Sequence, residues 1–143
     1  MTMREMVNNI SVVNGFPPVV ITNADTAQVS AIIDTQGFYS AAFLIHTGTL
    51  TDANATFVVL IEDGDDSGLS DAAAVADIFL EPDEATVNFD FGDDLIVRKI
   101  AYTGPKRYLR CTVTPSGNDS GAAPLSCMAL LGHMSENPNA GNA

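Results

Sequence analysis

The chain has 143 residues, 46% of them hydrophobic, enough for one domain that buries roughly two-thirds of its unfolded surface. Eighteen Asp and Glu against six Lys and Arg give a formal net charge of -12, a field that repels phosphate backbones and anionic lipid and so excludes free nucleic acid and a membrane surface as partners. The opening "MTMREMVNNISVVNG" lacks the apolar run of about 7–15 residues of a secretory signal, and no stretch approaches the ~18 apolar residues of a membrane helix, so a soluble protein made in a cytoplasm is expected.

In chain order, residues 1–18 carry Asn, Met and the "GFPP" break and read as an extended N-terminal arm. Removing them is expected to leave a folded domain. Strands follow near 19–22, 27–33, 38–46 and 55–62, in short runs rich in Val, Ile, Thr, Phe and Tyr bounded by Gly, Asn and Asp. The runs "FYSAAFLIH" (38–46) and "FVVLI" (57–61) are nearly continuous in apolar residues. Either they lie at the centre of a sandwich or their second face meets another subunit.

The segment "LSDAAAVADIFL" (69–80) predicts the one short helix, with Ser70 or Asp71 as N-cap, Val75, Ile78 and Phe79 as buried stripe, and Pro82 as stop. Further strands are predicted near 86–91, 95–102, 106–114 and 123–132. In "RYLRCTVTP", Leu109, Cys111 and Val113 point to the core, and Tyr108, Arg110 and Thr112 point away from it. "SENPNAGNA" (135–143) has no apolar periodicity and reads as a mobile tail. About eight strands and one helix make an all-β single domain over 19–134, a β-sandwich or jelly-roll-like fold.

Cys111 and Cys127 sit in apolar strands, where a thiol behaves as a small buried hydrophobe; free thiols are the expectation and a single bridge the alternative. The loop "IEDGDDSGLSDAA" (61–73) nearly spells a calcium loop. Asp63, Asp65, Ser67, Gly68 and Asp71 fall at positions 1, 3, 5, 6 and 9 of the EF-hand spacing, with the sharp turn at Gly68. Position 12 is Ala74 where a bidentate Glu belongs, and a strand precedes the loop in place of a helix, so a solvated turn is favoured over a calcium site.

Catalysis finds little support. His46 lies inside an apolar strand and reads as a satisfied structural histidine, and His133 lies near the tail. Ser126 lacks a G-x-S-x-G elbow, and neither H-E-x-x-H nor a phosphate-binding glycine loop occurs. The carboxylate pairs Asp65/Asp66, Asp83/Glu84 and Asp93/Asp94 fall in turns as solvated charge. No enzyme activity and no cofactor are implied.

The positive charge is concentrated. Five of the six basic residues, Arg98, Lys99, Lys106, Arg107 and Arg110, fall in "RKIAYTGPKRYLR" with Tyr102 and Tyr108 among them. These side chains either pair with the chain's own carboxylates or form a protein interface, for which Arg and Tyr are suited.

The segment "FLIHTGTLTDANATFVVLIEDGDDSGLSDAAAVAD", followed by "VRKIAYTGPKRYLRCTVTPSGN", resembles small head proteins of tailed double-stranded DNA bacteriophages, described as capsid decoration or cement proteins. The resemblance spans roughly residues 38–132. It implies a virion component on the outer surface of the shell whose partner is the major capsid protein, and a homo-oligomer, trimer before dimer. Two rivals are a phage tail-tube or tail-terminator subunit and a calcium-ordered binding or adhesion module.

Overall fold

The computed structural model describes residues 6–134. Along them run strands β1 (Ser11–Thr22), β2 (Gln28–Val29), β3 (Ile33–Asp34), β4 (Phe38–Thr47), β5 (Thr56–Gly64), β6 (Ala73–Ala74) and β7 (Leu80–Glu81). A single turn of helix, α1 (Glu84–Val87), is followed by β8 (Phe89–Asp90), β9 (Val97–Tyr102), β10 (Tyr108–Ser116) and β11 (Ala122–Met134). Two antiparallel sheets result: a five-stranded one in the order β1-β11-β4-β9-β7, and a second in the order β2-β10-β5-β6, to which β3 and β8 add short pairings. The expected β-sandwich is the fold.

Its core follows from period-two alternation. Phe43 and Ile45 of β4 with Leu125, Cys127, Ala129 and Leu131 of β11 from one sheet, and Phe57, Val59 and Ile61 of β5 with Leu109, Cys111 and Val113 of β10 from the other, are all buried. Both thiols are free and lie inside this core. Phe57 and Phe89 stack with ring centroids 4.7 Å apart.

Several boundaries differ from the expected ones. The strand predicted at 19–22 begins at Ser11 and pairs with β11 from Ser11↔Leu131 to Thr22↔Ala122. Residues 11–18 of the expected arm are therefore sheet, and Phe16 is in the core, so a 1–18 deletion removes a core side chain and most of the β1 partner of β11. The "GFPP" break is accommodated as register shifts between Asn14, Phe16 and Val19, on an edge strand where the missing N–H of Pro17 and Pro18 removes no ladder bond. The expected 27–33 strand is split into β2 and β3, and the tail 135–143 lies outside the described residues.

No α-helix forms over the expected 69–80; only a single 3-10 turn, Asp77–Phe79, lies within it. Leu69 takes a left-handed φ of 52°, Ala73–Ala74 pairs with Glu62–Asp63 of β5, and the Val75 N–H donates to the Ile61 carbonyl at 3.0 Å. Val75 is buried, but Ile78 is 83% exposed and Phe79 is also exposed. The reason is the edge of β5. Its other side is filled by β10, and an uncovered edge would leave main-chain groups without partners.

The 73–90 segment lies along that edge, which overrides the helix propensity of the alanines. Where its backbone cannot pair, side chains take over: Asn88 Oδ1 accepts from the Val59 N–H at 2.8 Å and Glu84 Oε1 from the Ile61 N–H at 2.6 Å. The one α-helix among the described residues, Glu84–Val87, overlaps only the start of the strand expected at 86–91, of which Phe89–Asp90 does pair with β5. Asp83 caps it, accepting from the Thr86 N–H at 2.8 Å.

Burial pushes the Glu84 carboxyl above its ordinary value of 4.5, and the charges of Asp77 and Asp83 add to this, against the Ile61 hydrogen bond. The folded state therefore holds this proton more tightly than the unfolded chain. Its contribution to stability is full below the ordinary value and is lost as pH rises through the folded value. Glu84→Gln keeps the acceptor oxygen without the charge. Thermal unfolding should show it more stable than the parent at pH 7, by a few degrees at most because the side chain is partly solvated, with the gap closing below about pH 4. An equal gap at both pH values would contradict the assignment.

Candidate interaction surfaces

The acidic loop and the basic hairpin meet at one end of the sandwich, because β5 and β10 pair from Thr56↔Ser116 to Gly64↔Tyr108. The buried Tyr102 is the joint. Its phenol donates to Asp63 Oδ2 at 2.7 Å and accepts from the Lys106 N–H at 2.9 Å. Burial raises the phenol's pKa well above its ordinary value, and the Asp63 hydrogen bond raises it further. Gly104 is needed beside it, since a Cβ there would stand 2.5 Å from the phenol oxygen.

Around this joint the cations find partners from within the chain. Lys106 Nζ reaches Asp65 at 2.5 Å and Arg110 reaches Glu62 at 3.0 Å. Arg107 clasps Asp34 at 2.8 and 2.9 Å, donates to Gln36, and lies 5.0 Å from the centre of the Tyr108 ring. Farther off, Arg98 pairs with Asp93 at 2.9 Å. The sequence cluster is therefore divided: Tyr102, Lys106, Arg107, Tyr108 and Arg110 gather at one end, whereas Arg98 and Lys99 point to opposite sides of β9. Lys99 is exposed and has no ion pair among the described residues.

The oxygens of the calcium-like loop are likewise engaged. Asp71 accepts the N–H groups of Asp65 at 2.8 Å and Asp66 at 3.2 Å, which hold its carboxyl below the usual range. Asp66, not part of the metal spacing, accepts from Gly68 at 2.9 Å and Ser70 at 3.2 Å. The sharp turn falls at Leu69 and not at Gly68; its buried side chain packs over Gly64, where an added Cβ would come within 2.3 Å of the Asp71 carboxylate. Asp63 accepts from Tyr102, Asp65 pairs with Lys106, Asp71 holds two amides and Ser67 is exposed, so the carboxylates among the four expected ligands are already engaged by the chain's own donors. No grouping of three His, Cys, Asp or Glu suited to a metal occurs among the described residues.

A cleft of about 370 Å³ opens between residues 35–41 and 104–107. Ser40 on its wall hydrogen-bonds His133 Nδ1, a pair that sequence reading missed because the two lie 93 positions apart. Only the Gly132↔Ser40 register brings them together. Among the described residues no carboxylate bonds to that imidazole, the orienting group that a serine–histidine nucleophile uses.

The least expected surface is the outer face of the five-stranded sheet. Register places Val12, Leu130, Ala42 and Ala101 in one row across four strands, and Asn14, Met128, Leu44 and Lys99 in the next. Ser126, His46 and Val97 form a third. Val12 and Val97 are each 58% exposed and Met128 36%. His46, read as a satisfied structural histidine inside an apolar strand, is exposed on this face. The signal was present in the near-continuous apolar run of 38–46: β4 is central in its sheet, and only one of its two apolar faces meets the core.

No protein-family model matches the chain, and a search of curated proteins finds no match. Among solved structures it is similar to the PBSX exported protein XepA, at 12% identity and a TM-score of 0.52 over 89% of this chain and 38% of that one. It is similar also to a chain of the infectious bursal disease virus Gx strain, at 9% identity and a TM-score of 0.50 over 90% and 33%. For a chain of the equine rhinitis A virus particle the values are 12%, 0.46, 96% and 81%. The chain spans less than two-fifths of the first two, and at these identities the likeness is one of fold.

Two substitutions test the loop and its joint. Tyr102→Phe leaves the half-buried Lys106 N–H and the Asp63 carboxylate without their shared partner and should cost about 1–3 kcal/mol in chemical denaturation. Asp71→Asn weakens both amide contacts and should lower the melting temperature by the same amount in calcium and in chelator. A loss seen only with calcium would make the loop a cation site.

Proposed function

We propose that this chain is a non-enzymatic structural subunit of a phage particle, a decoration protein that attaches to the assembled capsid and reinforces it. The observation that carries the reading is the apolar outer face of the five-stranded sheet. Exposed Val12, Val97 and Met128 with Leu44 and Leu130 form a contiguous apolar surface on a chain of net charge -12, and surfaces of that kind mark sites of protein contact. Such a protein works by being covered.

Two further features support it. The resemblance to phage head proteins rests on separate words of the sequence, and two of them, the "EDGDDSGLSDAAAV" segment and the "Y-x-G-x-KRY-x-R" hairpin, are one unit here, joined by Tyr102, Lys106 and Arg110. A loop held this firmly presents a fixed charged surface and loses little entropy on docking. The sandwich is also a fold found in a virus particle. Several weak attachments per oligomer would add up to firm holding through effective concentration.

The test uses shells of the encoding phage from which this protein has been removed. Purified chain should co-sediment with them and raise the temperature at which they disrupt. If antibody to the chain instead labels tails and leaves heads bare, the tail-tube or tail-terminator reading replaces this one, and absence from both would overturn a virion role.

A further inference from the structure

Resting on the structural-subunit reading, with the charged β5–β10 end left to meet the shell, we infer that the apolar face is covered by a second copy of the same chain, packed face to face about a two-fold axis that crosses the strands. Size permits this. The strands β1, β11, β4 and β9 contain 12, 13, 10 and 6 residues. The part of them that a two-fold axis between the Leu44 and Ala42 rows lays upon itself has, at a rise of about 3.4 Å per residue and a spacing of about 4.8 Å, a footprint on the order of 500 Å². Two copies would bury about 1,000 Å², the area at which a specific interface begins.

Charge selects the partner. The chain carries 18 carboxylates, yet β1, β11, β4 and β9 place none on this face. Two strongly acidic molecules can therefore meet here without opposing their negative charges, which no other broad face of the sandwich allows: the outer face of the second sheet carries Glu62, Asp34 and Asp90.

The charges the face does hold are one ammonium, Lys99 on β9, and one carboxylate, Glu81 on the adjoining edge strand β7. Glu81 lies in register with Ala101, one row from Lys99, and the two form no ion pair within the chain. A two-fold axis running across the strands between the Leu44 and Ala42 rows exchanges those rows. It carries each Lys99 toward the partner's Glu81, makes two symmetric ion pairs at the rim, and sets Leu44, Met128 and Leu130 against one another at the centre. That is the self-complementarity an isologous contact requires.

Sedimentation equilibrium of the full chain should give a dimer, twice the 15.0 kDa protomer, at micromolar concentration. Met128→Glu, on the solvent side of its strand, should keep the circular dichroism and melting behaviour of a folded monomer. Lys99→Glu should weaken the dimer at least tenfold, and Lys99→Glu combined with Glu81→Lys should restore it. A monomeric parent, a trimer or larger ring, or a dimer indifferent to Met128→Glu would each overturn the proposal.

Running the same proteins in the shell assay separates the two readings. A monomer that still binds shells overturns the self-contact and leaves the decoration role standing. A charge-reversible dimer that never binds shells does the reverse.

Discussion

The sandwich depends on closing the free edge of β5. This strand is the meeting point of the second sheet, with β10 on one side and nothing but short pieces of chain on the other. Its N–H groups at Val59 and Ile61 lie in the interior, where an unpaired donor costs about as much as several good contacts supply. The chain answers by drawing residues 73–90 along the edge, as two backbone pairings with two side-chain oxygens, Asn88 and Glu84, between them. From this follow the burial of Val75, Val87 and Phe89 and the stacking of Phe89 on Phe57. The acidic loop also becomes a tight detour with both ends anchored on β5.

The second consequence is electrostatic. With both ends fixed, the loop's carboxylates lie against the β9–β10 hairpin, and the hairpin's cations are consumed by them one for one: Lys106 by Asp65, Arg110 by Glu62, and Arg107 by Asp34 of β3. A sequence that looks like a basic patch beside an acidic patch becomes one cross-linked end, its three cations paired and its surplus carboxylates Asp63, Asp66 and Asp71 held by hydrogen bonds. What remains for other molecules is the face without this network, apolar over four strands and bordered by a single Lys and a single Glu.

The elements legible in advance were those whose identity follows from local pattern. Alternation in "RYLRCTVTP" gave the inward set Leu109, Cys111 and Val113, and all three are fully buried. The strands at 38–46, 55–62, 95–102, 106–114 and 123–132 fall within a few residues of β4, β5, β9, β10 and β11. The 69–80 segment was misread because alanine and a good N-cap favour a helix locally, whereas the strand edge it covers is contributed by residues ten or more positions earlier. The start of β1 was missed because Pro17 and Pro18 look like a break; on an edge strand they remove no needed donor. Of the site, the near-continuous apolar run of β4 pointed to a second contact face, but nothing local revealed that β1, β11 and β9 would extend it.

By itself the sequence determined an all-β chain, its main strands and their core faces, and a strongly acidic character, because alternation, turn residues and formal charge are properties of neighbours along the chain. Only the tertiary structure decided which charged groups are spent internally and which apolar side chains stay exposed on the outer face of a sheet. Asp63 meets Tyr102 across 39 positions and Asp34 meets Arg107 across 73, and an ion or hydroxyl has no fixed role until sheet register sets what stands within about 3 Å of it.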